Sequence, residues 1–311
     1  MVVHGDLRMP MDLEALPEVN FVIDCAAQAS VLAGTAGSGC TAAQLTGHNL
    51  SGTLNLLEYC RRHGAGLALL STSRVYSIPT LASLPLVIEN EAFVPAPAAL
   101  ANGRCPAGFS SHGIAEDFST AAPVSLYGAT KLASEQMALE YGHAFGFPVW
   151  VNRCGVLAGA GQFGKADQGI FSYWIREWAA RRPLRHIGFG GTGHQVRDCL
   201  HPADLAPLLL SQIDAGMADD RPRILNLGGG PLNSTSLSRL GDWCRKRLGP
   251  HQVAADSNER PYDLPWVVMN SALAARTWDW RPRHTLEEIL EEIACWATNG
   301  TNVGRGHLPW M

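Results

Sequence analysis

Four short apolar runs separated by helical patterns constrain this chain more than any other feature. They are Asn20–Asp24 (Asn-Phe-Val-Ile-Asp), Leu67–Leu70, Pro148–Arg153 (Pro-Val-Trp-Val-Asn-Arg) and Arg223–Leu227. Between the first two, Thr41–His63 carries Leu45, Leu50, Leu54 and Leu57 at near-helical spacing, and Gly64 suits the stop. Strands that alternate with helices predict a parallel sheet with helices on both faces. Further helices are expected at Met11–Leu16, from Ser125 through Leu139, and at Phe171–Ala180, Asp204–Ile213 and Leu237–Leu248. A last helix starts at Thr285, where Glu288 completes a capping box, and Leu286, Ile289, Ile293 and Trp296 form its apolar stripe. The opening residues, Met1–Arg8, read as a strand end running into a loop at Gly5-Asp6. Ile78–Pro123 is Pro- and Ala-rich and weakly periodic, so it is expected to be a lid, a binding loop or a mobile insertion. The glycines of Ile187–Asp198 lead into Gln195-Val196-Arg197 rather than a helix start, which predicts a hairpin or turn and not a phosphate loop.

Composition narrows the function classes. With 46% hydrophobic and 17% charged residues the chain can bury a sizeable core. A net charge of −4 gives no reason to expect nucleic acid or an anionic membrane surface as partner. No apolar run approaches the roughly 18–20 residues of a membrane span. The eight cysteines are scattered without a Cys-x-x-Cys or a Cys/His metal spacing, so no metal site is expected and they read as reduced thiols of a cytoplasmic protein.

The chemistry-bearing stretch is Ser125-Leu126-Tyr127-Gly128-Ala129-Thr130-Lys131. Tyr127 and Lys131 stand four apart, which puts both on one face of a helix. An ammonium beside a phenol favours the phenolate, and such a phenol can exchange a proton with a sugar hydroxyl. With six Tyr and three Lys in the chain, chance supplies roughly 0.06 such pairs, so the motif is suggestive but carries false-positive risk. Two strand ends add to it. Ser71-Thr72-Ser73 places consecutive hydroxyls where open α/β folds bind ligands, and Cys25-Ala26-Ala27-Gln28 places small residues where a ligand can approach the backbone.

These features in this order resemble the extended short-chain dehydrogenase/reductase family, the NAD-dependent nucleotide-sugar epimerases and dehydratases. The resemblance runs through Ser71–Tyr76, Ser125–Lys131, Asn152–Gly159, Gln162-Phe163-Gly164, Asp167-Gln168-Gly169, Gln195–Asp198 and Pro261–Trp266, and is strongest to the CDP-paratose (CDP-tyvelose) 2-epimerase branch. It implies a Rossmann-like parallel sheet over residues 1–156, with further strands drawn from about 187–228, and a smaller α/β substrate domain over 157–311. It implies NAD as cofactor, a nucleotide-diphosphate sugar as substrate and a homodimer. Thr72, Tyr127 and Lys131 would be catalytic. Asp6, Leu7, Cys25, Ala26, Ala27, Gln28, Asn49 and Cys154, with Tyr127 and Lys131, would hold NAD. Ser73, Arg197 and Arg260 would hold the substrate. The chemistry would be transient oxidation to a keto-sugar followed by re-reduction. Two departures matter. The family's opening strand, Gly-x-x-Gly-x-x-Gly turn and helix have no counterpart here, so the chain is expected to begin at the third strand of the fold. Ser73-Arg74 stands where sugar dehydratases carry an acidic pair, which favours epimerisation over dehydration or reduction. A non-catalytic nucleotide-sugar-binding module is the alternative that the missing turn leaves open.

Overall fold

The computed structural model describes residues 1–217 and 220–299. Four parallel strands form the principal sheet: β1 (Phe21–Asp24), β2 (Gly66–Thr72), β3 (Val149–Cys154) and, beyond a fourth strand that lies elsewhere, β5 (Ile224–Leu227). Their order is β1-β2-β3-β5. The register sets Thr72 opposite Cys154 and Cys154 opposite Leu227, so the carboxyl ends of three strands finish in one row.

Helices cover both faces, as the strand–helix alternation requires. On one side lies a long helical run, Ala42–Thr46, one π turn at Gly47–Ser51 and Gly52–His63 (together α1). Thr41 caps its start through a reciprocal capping box with Gln44, and Gly64 ends it at φ 63°. Beside it runs α2 (Ser125–Phe145). Leu56, Leu57, Cys60 and Ala138 pack there against Leu67, Leu69, Val149 and Val151. The opposite face is closed by the helices Ala206–Ala215 and Ala272–Trp278, which bring Leu208 and Ala274 onto Leu225 and Leu227. Burying apolar side chains on both faces of such a sheet stabilises it by about 25 cal/mol per Å² removed from water.

The inner face of α2 is unusual. Tyr127, Thr130, Lys131, Ser134 and Glu135 are buried, while Leu132, Met137 and Leu139 are only half-buried. Gly128 permits this close seating, because a Cβ there would stand 2.2 Å from the carbonyl oxygen of Arg74.

A second sheet is built around β4 (Val196–Leu200), which pairs with Ser234–Ser236, Trp266–Val267 and Val156–Leu157. Only β5 of the 187–228 region runs in the principal sheet, and β4 does not. Helices α3 (Ile170–Ala179), α4 (Leu237–Leu248) and α5 (Leu286–Asn299) form the second core with Cys199. The expected Thr285/Glu288 capping box is present at the start of α5. The last twelve residues of the region expected to end at 311 lie outside the described residues.

Two segments differ from expectation, and a third, Ile187–Asp198, keeps the expected turn without the hairpin. Residues 1–6 form no strand and pair with none of the described strands. Ile78–Pro123 is not a loose loop. It holds the hairpin Leu86–Glu89/Ala92–Pro95, two short helices and a second small hairpin, and its Leu81, Phe109, Ile114 and Phe118 share a core with Leu264–Met269. Its apolar residues are spaced for packing onto another segment and not for one periodic element, which hid it in the sequence. Ile187–Asp198 is a turn between strands of different sheets: Leu184–Ile187 pairs with Val253–Asp256, and β4 pairs elsewhere.

Candidate active site

The carboxyl ends of β2 and β3 open onto a cavity of about 360 Å³ between the two sheets. Thr72, Ser73, Tyr127 and Cys154 line one side, and Arg197 and Arg260 line the other. Thr72 is the last residue of β2. Its hydroxyl accepts from the Arg74 amide at 3.2 Å and lies near enough to the phenol of Tyr127 to favour its ionised form. Burial pushes the phenol of Tyr127 up from its ordinary pKa, and the Thr72 bond and then the charge of Arg74 pull it back. Arg74, which also lines the cavity, is thus one cation that favours the ionised phenol. Lys131 shares the helical face but stands among Asp24, Glu135, Cys154 and Cys25. Burial lowers its pKa, and those neighbours oppose the shift. The spacing of Tyr127 and Lys131 gives the shared face correctly. It does not name Arg74, which also acts on the phenol.

Arg74 carries no motif signal in the sequence beyond being non-acidic, yet it lines the cavity with Arg197 and Arg260 around the carboxylate of Asp263. Arg197 donates to Asp263 Oδ1 at 3.1 Å and to the carbonyl of Leu264 at 2.8 Å. Arg74 donates to the carbonyl of Tyr262 at 3.2 Å, and Arg260 to that of Ala166 at 2.7 Å. Burial, with Arg197 nearby, lowers Arg74 to about 10. Three guanidinium groups facing one carboxylate leave that wall cationic, a chemistry that suits a diphosphate.

The remaining candidates gather at the ends of β1 and α1. Cys25–Gln28 follow β1 as an exposed run of small residues and one Gln. Asn49, buried on α1, accepts from the Gln28 amide at 2.7 Å and donates to Thr130 Oγ1 at 3.0 Å. Asn49 thus ties this run to α2. Asp24 Oδ1 accepts from the Ala26 amide at 3.0 Å and its Oδ2 from Thr53 at 3.1 Å. Asp6 lies at the surface, and its bidentate bonds from Arg8 hold it ionised, down to about 2. Leu7 is half-buried, and its carbonyl accepts from Asn55 at 2.7 Å. Cys154 is buried in the cavity floor, which pushes its thiol up to about 12. Across the cavity, Ser30 donates to Asp167 at 2.5 Å and joins the loop after β1 to the loop before α3.

Residues 1–228 match the NAD dependent epimerase/dehydratase family. The chain is 26% identical to the CDP-paratose 2-epimerase of Salmonella typhi over 317 residues, covering 96% of this chain and 84% of that protein. It is 26% identical to a UDP-glucuronate 4-epimerase of Thermodesulfobacterium geofontis, covering 80% of this chain and 64% of that one. Among solved structures it resembles MoeE5 in complex with UDP-glucose and NAD, with a TM-score of 0.73 at 22% identity over 96% of this chain and 86% of that one. It also resembles the UDP-glucose 4-epimerase of Thermotoga maritima with UDP-glucose, with a TM-score of 0.70 at 20% identity over 96% and 84% of the two chains. The chain belongs to the NAD-dependent epimerase/dehydratase family, whose fold it shares.

Proposed function

We propose that this member of the family is a nucleotide-sugar epimerase, with a substrate of the CDP-paratose type, acting by transient oxidation of one sugar carbon. The observation that carries the reading is the Tyr127–Thr72 pair facing, across one cavity, a wall of Arg74, Arg197 and Arg260. A nucleotide sugar has that polarity: a reacting hydroxyl at one end of an anionic diphosphate.

The residues present fit NAD at the mouth of β1 and α1. The Cys25–Gln28 run is open to solvent and small, so a cofactor can lie against its backbone. Asp6 keeps a carboxylate, with Leu7 beside it, for the adenosine. Asn49 fixes the run in place, and Lys131 and Cys154 would hold the nicotinamide end. When bound, NAD supplies a hydride acceptor that returns the hydride to the sugar.

The chain's own part is proton handling and orientation. Thr72 holds the reacting oxygen against Tyr127. The Tyr127 phenolate takes the hydroxyl proton as the keto-sugar forms and gives it back as the inverted alcohol forms. Arg74 favours the phenolate by its charge. Arg197 and Arg260 hold the diphosphate while the sugar turns over between its two faces. The absence of a carboxylate at Ser73 and Arg74 supports inversion over loss of water.

The test is turnover of CDP- and UDP-hexoses by the purified protein supplied with NAD, with products assigned by NMR. Inverted sugar from wild type and at least about 100-fold less from Tyr127→Phe is the expected result. Equal turnover by Tyr127→Phe refutes the reading, and a 4-keto-6-deoxy product shifts it to a dehydratase.

A further inference from the structure

Glu135 is fully buried at 0% exposure, and it lies eight residues after Tyr127 on the same face of α2. Its Oε1 accepts from Ser71 Oγ at 2.5 Å and from Arg153 Nε at 3.1 Å. Its Oε2 accepts from Arg153 Nη2 at 2.7 Å and from Nε at 3.1 Å. Ser71 and Arg153 are themselves paired in register on β2 and β3. The next pair in that register is Thr72 and Cys154, both in the cavity wall. One carboxylate on the helix therefore grips two neighbouring strands at the rim of the site, where Ser71 itself reaches the cavity.

The grip extends further. Arg153 Nη1 donates to the Tyr76 hydroxyl at 3.3 Å, and that hydroxyl donates to Asn226 Oδ1 on β5 at 2.7 Å. The Asn226 amide donates to Glu116 Oε1 at 2.7 Å, which brings in the 78–123 segment. Burial would lower the pKa of Arg153, but the bonds and charge of Glu135 outweigh it and raise it, so the guanidinium stays charged. Apolar side chains of similar volume usually fill such a space at no cost in stability, so a buried ion pair is weak evidence for stability alone. What it adds is directional: four donor–acceptor distances fix the helix against both strands at once.

We propose that Glu135, with Arg153 and Ser71, is a positioning residue of the reaction, which locks α2 against the ends of β2 and β3 and so holds Tyr127 on Thr72. It rests on the reading of Tyr127 and Thr72 given above. The lever is long. Eight residues of helix span about 12 Å, so a tilt of about 5° at Glu135 carries Tyr127 about 1 Å away. A misplacement of that size costs on the order of 100-fold in rate.

The test separates positioning from folding. Glu135→Gln alone strands the Arg153 charge and is expected to melt early. The double variant Glu135→Leu/Arg153→Met removes both partners and is expected to melt near wild type. In it, kcat should fall about 100-fold while KM and the calorimetric Kd for CDP stay within threefold. Turnover that recovers together with the melting temperature overturns the proposal. If the double variant does not fold, Ser71→Ala decides. A drop of fivefold or more in kcat at unchanged KM supports the clamp, and an unchanged kcat overturns it. If wild type shows no epimerase turnover, ultraviolet titration of tyrosine decides independently, with the Tyr127→Phe trace subtracted. The Tyr127 ionisation should move to higher pH in the double variant (in Ser71→Ala if the double does not fold), because the Thr72 bond that favours the phenolate is lost. An unmoved titration overturns the proposal.

Discussion

Substituting Asp198 by Asn should make the folded protein less sensitive to pH, and the structure sets the size of the effect. Asp198 sits on β4 at 1% exposure. Its Oδ2 accepts from the amides of Met269 and Gly230, each at 3.2 Å. Its Oδ1 has no hydrogen-bond partner among the described residues. The carboxylate is wedged against backbone: a Cβ on Gly155 would stand 2.8 Å from Oδ1, and one on Gly228 would stand 2.1 Å from Oδ2. Burial pushes the carboxyl up to about 7 from 3.8, against the pull of the backbone amides. The folded pKa is thus raised. The contribution to stability is full below the unfolded pKa, near 4, and is lost as pH rises through the folded pKa, near 7. About three units correspond to about 4 kcal/mol. An Asn at 198 can keep its carbonyl oxygen on Met269 and Gly230 and place its NH2 where Oδ1 already has no partner. It carries no titrating proton. Urea unfolding of both proteins at pH 4.5, 6 and 8 reads the difference. The Asn variant should gain on wild type as pH rises, by an amount on the order of 3 kcal/mol at pH 8 compared with pH 4.5, most of it before pH 7. A difference that stays flat, or that falls as pH rises, refutes the assignment of a buried, protonated carboxyl at 198.

Gly128→Ala should push α2 off Arg74, since its Cβ would meet the Arg74 carbonyl oxygen at 2.2 Å. A loss of about 1–3 kcal/mol in urea unfolding and a kcat down on the order of 100-fold are expected, and unchanged kinetics would contradict the close seating. Arg74→Leu removes the cation that lowers the Tyr127 pKa, so the limb of the pH–rate profile that reports Tyr127 should move to higher pH. A limb that stays in place would show that Arg74 does not act on the phenol. Thr285→Ala removes the capping box at the start of α5 and should cost about 1 kcal/mol by thermal unfolding, with activity unaffected.

Much of the fold was legible because local rules and tertiary packing agree. Leu45, Leu54 and Leu57 mark α1, Gly64 ends it, and the apolar runs at 20–24, 67–70, 148–153 and 223–227 all fall on strands of the principal sheet. The 78–123 segment was not legible. Its Phe109, Ile114 and Phe118 gain their partners at 264–269, about 150 residues away in sequence, and no local period encodes that. At the site, the residue types at the strand ends pointed to the right edge of the sheet, and Tyr127, Thr72, Arg197 and Arg260 all reach one cavity. The partner of each charge was not legible. Asp24 and Glu135 act on Lys131, and Arg74 acts on Tyr127, neighbours that come from other elements or from a further helical turn and that the four-residue spacing does not name. Glu135 carried a usable signal: a carboxylate four residues beyond Lys131, on the helix face already marked as inward.

The most direct measurement is the fate of hydrogen at the inverted carbon. The protein, supplied with NAD and a CDP-hexose in deuterium oxide, is left to approach equilibrium, and the epimers are separated and examined by NMR. Transient oxidation of the sugar passes the hydroxyl proton to Tyr127, which exchanges with solvent, while the hydrogen on carbon would leave to NAD and return as hydride, so the inverted carbon should carry no solvent deuterium. Deuterium at that carbon would mean inversion by proton removal from carbon, and would contradict the role assigned to Tyr127 and Thr72.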